Sequence, residues 1–122
     1  MATAVSILRW VLCIALVGVA LLYLNGLAFA LWAAGGPPTD RPNYFLWRAW
    51  YCLGFVVAAL TLAVACSALV RTVPTRRQLK VGFILSVLAF VAWAFPNAVH
   101  WLKVDTCLDS GRAWSYEYEG CK

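Results

Sequence analysis

The sequence predicts an all-α membrane protein. It has three transmembrane helices, an inside amino terminus and an outside carboxyl terminus, and it is closed by a short disulfide-stapled turn and strand. Three observations carry this reading. Apolar residues are 64% of the 122 residues and charged residues 12%, about half the charge of an ordinary soluble domain. The charges leave three long uncharged windows, 10–39, 49–70 and 81–102. Two cysteines, Cys107 and Cys121, bracket a polar, aromatic tail. Such a composition excludes disorder, which requires low hydrophobicity. It leaves too little polar surface for a water-facing domain or a polar enzyme cleft.

A helix needs about 20 apolar residues to cross about 30 Å of hydrocarbon, and each window is long enough. The first helix is expected over 6–34, stopped by Gly35, Gly36, Pro37 and Pro38, which do not continue a helix. A cleaved signal peptide is the competing reading, with Ala28-Phe29-Ala30 as the cleavage triplet. The apolar run from Val11 to Ala34 is long for a signal core, and bulky Leu31 and Trp32 follow the triplet. Within this helix Asn25 is an amide deep in an apolar run and is expected to find a partner on another helix. Gly26, Ala30 and Ala34 form a stripe of small residues at four-residue spacing, which lets helices approach closely.

The second helix is expected over 47–70. It carries its own small stripe, Ala59, Ala63 and Ser67, with Gly54 and Ala58 beside it. The third is expected over 79–102. Pro96 removes one donor from it and crowds the backbone near Ala92, predicting a kink, and Asn97 is placed to satisfy the freed groups. Residues 1–102 thus form the transmembrane domain and 103–122 an extracytoplasmic tail.

Orientation is read from basic residues near the span ends. Arg71, Arg76, Arg77 and Lys80 fall within one ten-residue loop without an acid, and Arg9 lies on the same side. Arg41, Arg48, Lys103, Arg112 and Lys122 lie on the other, so the raw count ties. Density decides: the loop is the cytoplasmic signal. All five acids, Asp40, Asp105, Asp109, Glu117 and Glu119, then fall outside. Trp32, Tyr44, Trp47, Trp50, Tyr51 and Trp101 cluster near the outer helix ends, where amphipathic rings favour the headgroup zone. No Asp, Glu, Lys or Arg lies within a span, which argues against a self-contained pump or coupled transporter. His100 is the single histidine; alone it is not a metal site, and an interfacial structural role is expected.

Cys13, Cys52 and Cys66 lie inside spans, where free cysteine acts as a small hydrophobe. Cys107 and Cys121 are expected to bridge in an oxidising compartment, closing a 15-residue ring worth about 3 kcal/mol. Asp109-Ser110-Gly111 reads as a turn. After it Trp114, Tyr116 and Tyr118 alternate with polar residues, the period of a short strand with one aromatic face. That face either lies on the membrane surface or serves recognition, with Trp47 and Trp50 beside it.

The run Cys107-x-Asp109-Ser110-Gly111-x-x-Trp114, closing at Cys121, resembles the tail of many small proteobacterial inner-membrane proteins. Some of these resemble immunity proteins that accompany secreted antibacterial toxins. Arg112 stands where a second glycine is common in that pattern. The resemblance covers about 15 residues and implies a bacterial inner membrane with a periplasmic tail.

No P-loop, H-E-x-x-H or G-x-S-x-G occurs, so no enzyme and no cofactor are expected. Three functions remain. The first is an immunity-type protein guarding against a membrane-acting toxin. The second is a small accessory subunit of a larger membrane complex. The third is a homo-oligomeric pore or carrier. The expected partners are membrane lipid and another membrane or periplasmic protein. The four bases of the loop are explained by orientation and anionic lipid, so no nucleic acid is expected.

Overall fold

A computed structural model describes residues 1–36, 41–71 and 73–122. Three helices follow one another: α1 (Ala2–Gly35), α2 (Pro42–Leu69) and α3 (Arg76–Asp109). Two short strands, β1 (Trp114–Ser115) and β2 (Gly120–Cys121), pair antiparallel behind them. All three helices are long and apolar enough to cross a membrane. Their outward faces carry Leu, Ile, Val, Phe and Trp side chains, an apolar area far beyond what a water-soluble monomer exposes. The architecture is that of an all-α membrane protein with a stapled tail.

The helix ends follow local chemistry. At the end of α1 the Gly36 N–H bonds to the Trp32 carbonyl at 2.8 Å; Pro37, Pro38 and Asp40 lie outside the described residues. Helix α2 starts with Pro42 in its first turn, where a missing N–H costs nothing. Arg71 Nε donates to the Ser67 carbonyl in its last turn at 3.2 Å. Thr75 and Gln78 form a reciprocal capping box at the start of α3, satisfying two orphan donors.

Helix α3 runs on through Lys103 to Asp109, beyond the expected end at 102. Hydropathy marks where hydrocarbon ends, not where backbone hydrogen bonding ends. At about 1.5 Å per residue its 34 residues span about 50 Å, so one part projects past a bilayer core. The helix is uninterrupted at Pro96, and Asn97 Nδ2 donates to the Trp93 carbonyl at 3.0 Å.

Helix α2 is the middle layer, with α1 packed on one face and α3 on the other. The buried set is almost entirely small: Ala20, Ala30 and Ala33 on α1, Ala49, Cys52, Ala59, Ala63 and Ala65 on α2, Ala89 on α3. Against α1, a Cβ built on Gly26 would lie 3.3 Å from Cys52 Sγ, and Tyr23 stacks on Phe55 with centroids 4.4 Å apart. Against α3 the approach is closer. A Cβ on Gly54 would meet the Ala92 carbonyl oxygen at 2.7 Å and Pro96 Cγ at 2.9 Å. That carbonyl is the one Pro96 deprives of its donor, so Gly54 opens the space it occupies. Nearer the other end, a Cβ on Gly82 would collide with Leu69.

Two expected packing residues do not bridge helices. Asn25 is exposed, and no hydrogen bond reaches its side chain among the described residues. Gly26 and Ala30 face α2, and a neighbouring residue is rotated by about 100°, which turns the amide off the seam. Ser67 is half-buried and its hydroxyl donates within its own helix, to the Val64 carbonyl at 2.7 Å.

Candidate functional site

The tail is built from the end of α3 outward. Asp109-Ser110-Gly111 is the C-cap of α3 rather than a separate turn. The Arg112 N–H bonds to the Cys107 carbonyl at 3.2 Å and the Gly111 N–H to Leu108 at 3.0 Å, with Gly111 at φ 75°. This is the Schellman arrangement, in which the left-handed position takes glycine. Arg112 is not at positive φ, so arginine in place of a second glycine is accommodated.

The expected single strand through Trp114, Tyr116 and Tyr118 is instead a tight hairpin. Trp114 pairs with Cys121 and Ser115 with Gly120, and residues 116–119 turn between them. The ring closed by Cys107 and Cys121, whose Cα atoms are 5.7 Å apart, forces the chain back toward α3. The turn closes with Glu119 at φ 50°, a left-handed conformation that costs a side-chain-bearing residue about 1 kcal/mol. Trp114 and Tyr116 both lie against His100, the latter with ring centres 6.5 Å apart, while Tyr118 turns away. Trp114 is half-buried, edge-on to His100 at 5.7 Å. Tyr116 is 66% exposed. Tyr118 lies under Arg41 and Lys122, 5.8 and 5.7 Å from its ring centre. Arg41, at the start of α2, also pairs with Glu117, tying the turn to α2.

The hairpin roofs a cavity of about 500 Å³ between α2 and α3. Its walls include Trp47, Trp50, Phe95, Lys103, Trp114 and Glu119. Glu119 is 7% exposed, and its Oε2 lies 3.2 Å from Nδ1 of His100 without the alignment of a hydrogen bond. The indole nitrogens of Trp47 and Trp114 are likewise buried without a partner among the described residues. Burial raises the Glu119 carboxyl above its ordinary value, and the positive charge of His100 and Lys103 opposes that rise. Rings connect the whole end: Tyr23 to Phe55, Tyr51, Trp47, His100 and Trp114 in sequence.

The expected aromatic belt thus divides. Trp32, Trp50 and Trp101 are exposed on the outside of the helices, whereas Trp47 and Tyr51 turn inward. At the opposite end Arg9 and Arg71 line one shallow recess, so the first helix start and the second loop come together. Arg76 and Arg77 occupy the first turn of α3, where no acid is present and cations oppose the helix dipole. Helix stability is therefore not the reason for them. Lys80 follows one turn later and is exposed. Cys13, Cys52 and Cys66 are free. No group of three His, Cys, Asp or Glu side chains among the described residues could hold a metal ion.

Glu119 escaped the sequence reading except as a counted acid. A signal did exist. His100, Lys103 and Cys107 share one helical face, so bonding Cys121 to Cys107 brings a residue two positions before Cys121 over His100 and Lys103. The chain matches no protein family, no curated protein and no solved structure.

Proposed function

We propose that the chain is a non-enzymatic, multi-pass protein of the bacterial inner membrane that acts through protein–protein contact at its hairpin end. The basic loop of Arg71, Arg76, Arg77 and Lys80 supports a periplasmic position for that end by the positive-inside rule. The function that suits it best is immunity-type protection against a membrane-acting toxin. The observation that carries the reading is the stapled hairpin. Its disulfide-closed turn holds Tyr116 and Tyr118 on an exposed surface, and rigid amphipathic area is what binding hot spots use.

The test is protection. The products of neighbouring genes are screened for a membrane-acting toxin, and cells producing the chain are challenged with it. Joint replacement of Tyr116 and Tyr118 by alanine should abolish protection while the amount in the membrane stays level. A periplasm-dependent reporter fused after Lys122 should be active; activity only of a cytoplasmic reporter there would invert the orientation.

One observation favours the accessory-subunit reading. Asn25 presents an unpartnered amide on an apolar helix face, and an amide in hydrocarbon gains about 1 kcal/mol from a partner on another helix. If Asn25→Leu removes function and the tyrosine pair does not, the contact is helix to helix within the bilayer.

A further inference from the structure

The cavity under the hairpin carries features that protein recognition at Tyr116 does not use. It holds one acid, Glu119, and two basic side chains, His100 and Lys103, in a volume of about 500 Å³, within the range of small-ligand sites. The Glu119 side chain is 7% exposed, and its Oε2 lies 3.2 Å from His100 Nδ1 without the alignment of a hydrogen bond. A buried carboxylate so poorly hydrogen-bonded gains from a well-aligned donor. Two indole N–H groups, from Trp47 and Trp114, stand unpartnered in the same walls. Trp50 and Phe95, also in the walls, are each 63% exposed on the outward faces of α2 and α3, where hydrocarbon lies in a membrane.

We propose that this cavity binds the headgroup of an aminophospholipid, its ammonium on Glu119 and its phosphate toward Lys103, with the acyl chains leaving past Trp50 and Phe95. The charges are complementary in sign: the ammonium of a zwitterion meets the Glu119 carboxyl, and its phosphate meets the basic side of the cavity, Lys103 and His100. The aromatic walls favour a cation over their faces. A primary ammonium donates hydrogen bonds to Glu119, and a trimethylated one cannot. An anionic glycerol headgroup brings no cation and sets its phosphate charge against Glu119. The phosphate oxygens are acceptors, which the indole N–H groups and Lys103 lack. The apolar walls on the membrane side select a lipid over a soluble aminoalkyl phosphate. The site goes beyond the partner surface and does not depend on it.

The experiment is native mass spectrometry of the delipidated full-length protein in detergent. Equal concentrations of dioleoyl phosphatidylethanolamine, phosphatidylcholine and phosphatidylglycerol are added. Phosphatidylethanolamine should be retained about tenfold better than either, the scale of one charge-assisted hydrogen bond. Glu119→Gln should remove that preference, and Lys103→Gln should weaken retention of all three. Asp105→Asn, an exposed acid of α3 outside the cavity walls, should leave the preference unchanged. The intact Cys107–Cys121 bridge, read from mass before and after reduction, confirms that each variant is folded at this end. Equal retention of the three lipids by wild type, or a preference that survives Glu119→Gln with the bridge intact, would overturn the proposal. Soluble O-phosphoethanolamine displacing the lipid at equal concentration would overturn the lipid as its source.

Discussion

The two seams on either side of α2 are held in different ways. The α1 seam is a stripe of small residues, Gly26, Ala30, Ala59 and Ala63, with the Tyr23–Phe55 stack at one point. Among the described residues its polar contact is a weak thiol donation from Cys13 to the Ala63 carbonyl at 3.5 Å. The α3 seam begins with the same device, at Gly54 and Gly82, and adds others at its hairpin end. There Trp47 meets His100, Glu119 faces His100, Arg41 pairs with Glu117, and a disulfide closes the ring. In lipid, packing alone joins helices without a hydrophobic driving force. A seam of that kind is exchangeable, whereas the hairpin end of the α3 seam is covalently and electrostatically specified. The proposed recognition surface sits on the second, where a rigid support exists.

The largest expected effect breaks the specified end. Replacing Cys107 and Cys121 by serine should cost about 3 kcal/mol of hairpin stability. Proteolysis of detergent-solubilised protein should then cut within 110–122, while α1 stays resistant. An unchanged cleavage pattern would show that the ion pair and ring contacts suffice without the bridge.

The next comparison sets glycine against glycine. Gly54→Ala drives a methyl into the Ala92 carbonyl and Pro96, an overpacking that costs about 2 kcal/mol. Gly26→Ala meets only the Cys52 thiol, which can rotate, and gains about 1 kcal/mol of helix propensity. Thermal unfolding in detergent should therefore fall clearly for the first and barely move, or rise, for the second. Equal losses would mean that the two seams are equally tight.

Asn25→Leu sharpens the account of α1. The side chain has no partner among the described residues, so unfolding of the isolated protein should change by less than about 1 kcal/mol. A larger loss in native membranes than in purified monomer would place a partner helix on that face.

The smallest expected effect is in pH. The folded state holds the Glu119 proton above the ordinary carboxylate value because of burial, with His100 and Lys103 opposing. The folded state therefore binds more protons than the unfolded state across that interval. The share of stability linked to Glu119 is complete below the ordinary glutamate value and is lost as pH rises through the raised one. Arg41 pairs with Glu117 and lies over the Tyr118 ring. Melting of the hairpin end followed against pH should show this slope, and Glu119→Gln should flatten it; an opposite slope would mean that His100 and Lys103 outweigh burial.

Most of the helical framework was readable from residues alone. Three uncharged windows locate three spans because hydrocarbon excludes charge from helix interiors, and Cys107 with Cys121 could be paired because the other three cysteines fall inside spans. The stripes around Gly26 and Gly54 named the seams, since only small residues permit close approach. The site was less readable. Period two across Trp114, Tyr116 and Tyr118 suggested one strand and one aromatic face. The ring to Cys107 overrode that local preference and folded 116–119 into a turn.

By itself the sequence determined the number of spans, the basic and acidic ends, the staple and the small-residue seams. Each depends on local composition or on a helical period of a few residues. Only the tertiary structure decided that α2 lies between the other two helices, that Asn25 turns away from its neighbours, and that Trp47 faces inward while Trp50 faces out. It alone decided that Glu119 is a buried acid beside His100. These depend on rotation about helix axes and on a contact between residues 19 positions apart in the chain. No local preference encodes them; packing at Gly54 and closure of the disulfide ring do.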